Sequence, residues 1–96
     1  MIYSNVLLTV NNEADVNVVH ELLVEQARHS HDEPGCHRFE VYHSHADPLF
    51  FLLVEQWESQ ADLDRHKEAQ AFIEIYIPKV LPLVRRIPHP SSLIWP

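Results

Sequence analysis

The sequence predicts a single α+β domain, residues 1–96, in which an antiparallel sheet is covered by helices on one face. Segments rich in β-branched or alternating apolar residues, typical of strands, are interleaved with segments whose apolar residues recur at helical spacing. The length of 96 residues suits one domain, and the chain contains no repeats, linkers or low-complexity tracts. The order of the segments then decides the topology.

The first segment, IYSNVLLTV at 2–10, is rich in β-branched and aromatic residues and predicts a strand. An amphipathic helix over about 13–31 follows, because its apolar side chains recur every three or four residues. These side chains are Val16, Val19, Leu23 and Ala27. Asn12 and Asp15 have the spacing of a capping box at its start, with Asp in place of the usual Glu or Gln.

Pro34 and Gly35 predict the end of this helix, since proline disfavours helix at the preceding residue and glycine permits a tight turn. The sequence CHRFEVYHSH at 36–45 alternates like a strand, and the apolar segment at 49–58 completes a hairpin after the turn residues ADP. Both faces of the second strand are apolar, which predicts that both are covered.

A short helix is predicted over 60–68, opened by Ser59 with Asp62 three residues later. The segment QAFIEIYIPKVLPLV then carries apolar residues at helical spacing, and we expect Pro78 to kink or break that helix. The tail VRRIPHPSSLIW predicts a last strand, which its prolines Pro88 and Pro90 should interrupt or confine to a sheet edge.

The resulting order, β-α-β-β-α-(α)-β, is the split βαβ or ferredoxin-like topology. Its helices cover one face of the sheet, so the other face needs a different cover, which a second copy can supply by forming a dimeric α+β barrel. Hydrophobic residues make up 46% of this short chain, which also favours a homodimer.

Composition argues against several classes of partner. The formal net charge is −7 and there is no basic run, so nucleic acid and anionic membranes are poor partners. Cys36 is alone, no apolar stretch approaches the length of a membrane span, and the N-terminal segment lacks the basic region of a signal peptide. We therefore expect a cytoplasmic protein.

A set of ordered motifs points to a family. EPGCHRF at 33–39 fits the pattern E-P-G-x-x-x-F, and further matches follow at Asp47-Pro48, Glu55-Gln56-Trp57, Ala61, His66 and Phe72. In order and spacing they resemble the antibiotic biosynthesis monooxygenase (ABM) family across nearly the whole chain. The ending SSLIWP is similar to the branch that contains quinol monooxygenases and the autoinducer-2 phosphate isomerase.

The resemblance implies a dimeric α+β barrel that oxidises electron-rich phenols, anthrones or quinols with O2. It implies no cofactor, because the deprotonated substrate supplies the electrons. The leading hypothesis is therefore a cofactor-independent monooxygenase acting on a small quinol or polyphenol. Since other relatives isomerise a phosphorylated diketone, degrade haem or have no known reaction, two alternatives stay open: an isomerase of a small phosphorylated carbonyl compound, and a non-catalytic small-molecule-binding dimer.

His66 stands at the histidine position of the family, and a histidine suits proton removal from a phenol near neutral pH. The alternative is a surface histidine paired with Asp62 or Glu68. Trp57 shares a strand face with Glu55 and Phe51, so an indole wall beside a carboxylate could bind a flat aromatic ligand. The alternative is that this face belongs to the core.

Asn5 is unusual in the middle of a strand, and the resemblance suggests that it helps to hold substrate or oxygen. The alternative is a surface residue of an edge strand. Tyr76 could donate a hydrogen bond to a substrate oxygen, and Phe72 lies one helical turn away. Both could equally be core residues.

Two departures from the family weaken its other reactions. Ala71 stands where the family often carries a second histidine, which weakens the isomerase hypothesis. The haem-degrading branch carries a histidine at a position that falls near Tyr76, and this chain has no histidine there to ligate haem. The cations that could neutralise a substrate phosphate are Arg38, Lys67, Arg85 and Arg86.

Five of the eight histidines lie in RHSHDEPGCHRFEVYHSH at 28–45. A zinc site needs three or four converging ligands, whereas His43 and His45 supply two and Cys36 faces away from His37. Histidines at a helix C-terminus are favourable without any metal. We therefore predict no metal site in this segment.

Overall fold

The structure is a computed structural model that describes residues 1–96. Four strands are present: β1 (Ile2–Val10), β2 (Cys36–His43), β3 (Phe50–Trp57) and β4 (Val84–Ser91). Two α-helices, α1 (Val16–His31) and α2 (Gln60–Glu68), are joined by a π-helix (Phe72–Val80) and by short 3₁₀ turns at Glu13–Asp15 and Leu81–Leu83. Apart from the 3₁₀ and π segments, the predicted elements are present to within a few residues at each end.

The sheet has the order β2-β3-β1-β4, and each neighbouring pair is antiparallel. This confirms the predicted ferredoxin-like α+β fold, with the helices on one face. β2 ends at His43 rather than at the predicted position 45, because the Ser44 hydroxyl accepts hydrogen bonds from Ala46 and Asp47 and turns the chain. β4 pairs only with β1, so Pro88 and Pro90 lie in an edge strand, as predicted.

The core lies between the sheet and the helices. Alternate residues of β1 and β3 face it and are buried: Val6, Leu8, Val10, Phe51, Leu53 and Trp57. Val19 and Leu23 of α1 and Tyr76 and Val80 of the π-helix cover them. Burial of these faces is the main source of stability in a domain of this size.

The opposite sheet face is less covered. Leu7, Leu52 and Val54 are only half-buried there, and Ile87 is exposed. A strand that is apolar on both faces is thus shielded on one face only within this chain. None of the helices combines the length and the apolar character that crossing a membrane requires.

Pro78 does not end its helix. The segment continues to Val80 as a π-helix, in which the N–H of Leu81 donates to the carbonyl oxygen of Tyr76, five residues earlier. Of the expected kink or break at Pro78, the break is therefore wrong, and the segment changes to π geometry instead. Proline removes one backbone donor, and the segment meets this constraint with a wider turn and a closing 3₁₀ turn.

The two predicted helix caps form differently. Asn12 accepts from the N–H of Ala14 rather than from Asp15, because a 3₁₀ turn precedes α1. Ser59 accepts from the N–H of Asp62, three residues later, as the predicted spacing requires, and its hydroxyl donates to the Asp62 carboxylate.

Gly35 is the residue on which the turn between α1 and β2 depends. Its φ is +78°, and a Cβ at this position would collide with the Asp62 side chain. Its carbonyl accepts from the N–H of Glu58, which fastens the turn to the end of β3. Left-handed backbone and close packing together require glycine.

We predict that Gly35→Ala lowers the free energy of unfolding by at least about 1–3 kcal/mol, from the strained φ and from displacement of Asp62. Urea denaturation monitored by tryptophan fluorescence measures it. The neighbouring Pro34→Ala is the matched control and should cost only about 0.4–1 kcal/mol, because it mainly frees the unfolded chain. Equal losses in the two variants would contradict this account of Gly35.

Candidate functional site

A cavity of about 280 Å³ lies between the sheet and the helices. Its lining comes from every β-strand except β2, from α1 and α2, and from the π-helix. The polar and aromatic side chains that matter for chemistry are Gln26, Glu55, His66, Lys67, Phe72, Tyr76 and Arg86. A mostly apolar concavity with a few convergent polar groups is typical of a small-molecule site.

His66 is the buried centre of this group, with 3% of its side chain exposed. Three aromatic rings surround its imidazole, with centroids 4.6 Å (Trp57), 5.4 Å (Phe72) and 5.7 Å (Phe39) away. Burial lowers the pKa of His66, against the opposing effect of the Glu55 carboxylate. The alternative of a surface histidine paired with Asp62 or Glu68 is therefore wrong.

Glu33 holds the other side of the ring. Its Oε1 lies 2.7 Å from His66 Nδ1, across from the end of α1 to α2. Burial raises the pKa of Glu33 to about 7, partly opposed by His29. From the sequence, Glu33 was identified only as part of the E-P-G motif. Its position beside a tight turn could have indicated that its carboxyl group is held in a fixed place.

Glu55 faces His66 from the sheet. Its Oε1 lies 3.9 Å from His66 Nε2, too far for a hydrogen bond, so this ring nitrogen is available to a ligand. The same oxygen accepts from the indole N–H of Trp57 at 3.1 Å. Burial raises the pKa of Glu55, opposed by His66 and by the bond from Trp57.

Trp57 is fully buried and does not line the cavity. It packs against the His66 ring and holds Glu55, so it positions the site rather than walling a ligand. Phe51 is likewise a core residue, stacked on His43 with ring centroids 4.2 Å apart. The predicted substrate wall of Trp57 and Phe51 is therefore wrong in geometry, and Phe72 supplies the aromatic surface instead.

Tyr76 and Arg86 form a second polar group in the cavity. Arg86 Nε donates to the Tyr76 hydroxyl oxygen at 2.9 Å, and the guanidinium carbon lies 5.9 Å from the centroid of the Tyr76 ring. Burial raises the pKa of Tyr76, partly opposed by the Arg86 charge. Because the hydroxyl accepts from Arg86, its own hydrogen is free to be donated to a ligand.

Two further residues line the cavity. Gln26 was not identified from the sequence, and Lys67 was considered only as a cation for a phosphate. Gln26 is buried on α1, and its Oε1 has no hydrogen-bond partner in the protein. A buried amide oxygen without a partner is costly unless a ligand supplies the donor. Lys67 follows His66 on α2 and places a cation at the cavity. A polar Gln on the apolar face of the predicted helix was the available signal for the first.

Asn5 and Arg38 are not brought to this cavity. Val6 points to the helices, so Asn5 faces the other side of the sheet, where its amide donates to the Ser91 hydroxyl at 3.2 Å. Arg38 pairs with Glu40 at 2.8 Å, also away from the cavity. Alternation along β1 therefore separates Asn5 from His66, and the expected role of Asn5 in holding substrate does not apply to this cavity.

The histidine-rich segment is dispersed over the surface. His37 pairs with Glu58, His43 contacts the carbonyl oxygen of Pro48 at 2.7 Å, and His31 lies beside Asp32. No three His, Cys, Asp or Glu side chains converge in a way that could hold a metal ion.

The family model described as antibiotic biosynthesis monooxygenase matches residues 1–76. A search of curated protein sequences finds no match. Solved structures do match. A protein assigned as an antibiotic biosynthesis monooxygenase from Nitrosomonas europaea is 21% identical, with 97% of this chain and 99% of that chain aligned at a TM-score of 0.86.

A conserved protein of unknown function from Bacteroides thetaiotaomicron, described as a possible oxidoreductase, is 23% identical over 96% of each chain, with a TM-score of 0.88. SnoaB, a cofactor-independent oxygenase from Streptomyces nogalater, is 10% identical over 99% of this chain and 94% of that chain, with a TM-score of 0.85. At these identities the structures show a shared fold. The family match covers most of the sequence, and the chain therefore belongs to the antibiotic biosynthesis monooxygenase family.

Proposed function

We propose that this protein is a cofactor-independent monooxygenase that oxidises a small quinol or polyphenol with O2. The observation that supports it most is a buried imidazole that lines the cavity, with Nδ1 held by Glu33 and Nε2 without a hydrogen bond in the protein. Such a group is a suitable general base for a phenolic hydroxyl. Membership in the family and the resemblance to SnoaB support the reaction class.

In the proposed reaction His66 takes the proton of one quinol hydroxyl and so makes the ring electron-rich. The quinolate reduces O2, one oxygen atom forms a bond to a ring carbon, and the other leaves as water. The ring supplies all four electrons, and the products are a hydroxylated quinone and water. No redox cofactor is required for this electron balance, which agrees with the expectation that the protein carries none.

The remaining side chains of the cavity bind and orient the substrate. The Tyr76 hydroxyl donates to a substrate oxygen, and Arg86 and Lys67 stabilise the developing phenolate charge. Phe72 packs on the ring, and Gln26 offers an acceptor to a second hydroxyl. A cavity of about 280 Å³ lies at the low end of small-molecule sites, which favours a substrate of one or two rings.

A second candidate, an isomerase of a small phosphorylated carbonyl compound, is favoured by one specific observation. Two of the four cations considered for phosphate binding, Lys67 and Arg86, line the cavity, whereas Arg38 and Arg85 do not. A phosphate could pair with these two side chains while His66 moves a proton beside the carbonyl group. A binding protein without turnover is the third possibility.

We also propose that the protein is a homodimer in the cytoplasm. The half-buried apolar side chains on the open sheet face, centred on Leu7, Leu52 and Val54, would pack against the same face of a second copy. This sheet-to-sheet contact would complete the α+β barrel expected from the sequence and leave the cavity of each protomer on the outer, helical side.

We predict that His66→Ala lowers the rate of O2 uptake with reduced quinones by about 10²–10⁴-fold, because the general base is lost. An oxygen electrode measures the rate across a panel of quinols and polyphenols. His37→Ala, which removes a surface histidine, is the matched control and should keep the wild-type rate. A wild-type rate in the His66 variant would refute the proposal.

We predict that Lys67→Gln separates the two candidate enzymes. For a neutral quinol its KM should rise only a few-fold, since Lys67 contributes little before the phenolate forms. For a phosphorylated ketone the KM should rise by about 10-fold or more, because a charged hydrogen bond is lost. Arg28→Gln, on the exposed side of α1, is the control. Turnover of the phosphorylated ketone with no O2 uptake on any quinol would favour the isomerase.

A further inference from the structure

We propose that Glu33 is a proton-relay residue, which takes the Nδ1 proton of His66 when the ring accepts the substrate proton at Nε2 and later returns it, at the edge of a second cavity next to the site. This inference rests on the proposed function of His66 as a base. Glu33 does not touch the substrate cavity, so its role is to act through the imidazole rather than on the reacting atoms.

The two cavities lie against different faces of the π-helix. Phe72 and Tyr76 line the substrate cavity, whereas Ala71 and Ile75, each one residue earlier, line the second cavity. The second cavity has a volume of about 380 Å³ and is also lined by Glu33. The helix is therefore a wall that separates the substrate cavity from the second, more polar cavity.

The hydrogen bond between His66 and Glu33 passes this wall. His66 lines the substrate cavity and Glu33 lines the second cavity, and the distance between Nδ1 and Oε1 is 2.7 Å. It is the one side-chain to side-chain hydrogen bond that joins a lining residue of the first cavity to a lining residue of the second. The Glu33 side chain is 14% exposed and the His66 side chain 3%, so the path leads from the interior towards solvent.

The proposed step conserves atoms and moves no electrons. The substrate O–H bond breaks and an Nε2–H bond forms on His66, while the Nδ1–H bond breaks and an O–H bond forms on Glu33. His66 is neutral before and after, with its proton on the other nitrogen. When reduced oxygen leaves as water, Nε2 returns a proton and Glu33 reprotonates Nδ1. An imidazolium never has to persist inside the aromatic enclosure, where its charge would be poorly solvated.

The charges around Glu33 suit a group that exchanges protons near neutrality. Burial raises the pKa of Glu33, whereas the charge of His29 and the Ser30 side chain lower it. Glu25, Glu74 and Lys79 are the other charged side chains that line the second cavity. Two charged groups on other elements act on His66, Glu55 of β3 and Lys67 of α2. The Cys36 thiol at the start of β2 is close enough to Glu33 to interact with its charge. With burial included, the pKa of Glu33 is about 7, so both of its forms are populated at neutral pH.

We predict that Glu33→Gln lowers kcat at least 10-fold with little change in KM. The amide can still hydrogen-bond Nδ1 but cannot accept its proton. In the wild type kcat/KM should rise with pH through an inflection near 7, as Glu33 becomes the carboxylate that accepts the proton, and this inflection should vanish in the variant. Glu33→Asp keeps a titrating carboxyl group and should retain an inflection. Glu74→Gln, in the same cavity but not on His66, is the matched control and should retain the wild-type profile.

A readout independent of turnover separates this proposal from the proposed function. Nitrogen-15 NMR of the His66 ring reports which nitrogen carries the proton. In the wild type the Nδ1 signal should change near pH 7 as Glu33 titrates, and in Glu33→Gln this change should be absent. If quinols are oxidised but Glu33→Gln keeps the rate and the pH profile, the relay is overturned and the monooxygenase stands. If no quinol is oxidised but the coupled NMR titration is present, the monooxygenase fails and the proton coupling stands. An Nδ1 titration unchanged by Glu33→Gln overturns the relay in either case.

Folding stability gives a third readout. The pKa of Glu33 is about 7 in the folded protein, above its ordinary value of 4.5, so the folded chain binds more protons than the unfolded chain between these pH values. Wild-type stability should therefore fall as pH rises from about 4.5 to 7, relative to Glu33→Gln. The contribution of His66 has the opposite sign, because burial lowers its pKa. Urea denaturation at pH 5 and at pH 7.5 measures the difference, and an equal pH dependence in the two proteins would contradict the raised pKa of Glu33.

Discussion

The hydrogen bond between His66 and Glu33 is the interaction on which the rest of the site depends. Both groups are largely withdrawn from water, and burial shifts the pKa of each towards its neutral form. The bond offsets part of this desolvation and joins α2 to the turn that precedes β2. It also sets the orientation of the ring, because the nitrogen bound to Glu33 leaves only the other one for the cavity.

The site is assembled from elements that are far apart in sequence but adjacent in the fold. Strand alternation brings Glu55 and Trp57 to the helical face of β3, where the indole N–H holds the carboxylate. The Gly35 turn and the Ser59 cap place Glu33 and His66 opposite each other. Most of this scaffold is ordinary core packing, and its specific feature is the pair of carboxyl groups on either side of one imidazole.

Much of the fold follows from periodicity that is visible in the sequence. The strands β1 and β2 and the helix α2 could be predicted, with an error of two residues at the end of β2, because apolar spacing is a local property. The π-helix could not be predicted in this way, since Pro78 indicates a helix end and the wider turn arises only from tertiary packing. Asn5 shows the same limit, because its residue type suggested a site whereas the register of β1 turned it to the other sheet face.

The sequence could predict single residues of the candidate site, but not which of them contact one another. His66 and Tyr76 were found by their chemistry, and both line the cavity. Glu33 could not be assigned as the partner of His66, because the two are 33 residues apart and only the folded chain brings their side chains together. Trp57 was assigned a wall because aromatic residues suit flat ligands, but in the structure it packs behind the site.

The π-helix also decides how the site responds to a change in chain length. A π-turn accommodates about one residue more than an α-turn, so deleting one residue near its start would let that turn return to α geometry. Because the wider turn absorbs the extra residue, side chains beyond the deletion would keep nearly their present directions around the helix axis. Tyr76 would still face the substrate cavity and Ile75 the second cavity. The same deletion inside α1 would instead turn every later side chain of that helix by about 100°. The wall that carries Tyr76 is therefore the part of the site that best tolerates the loss of a single codon.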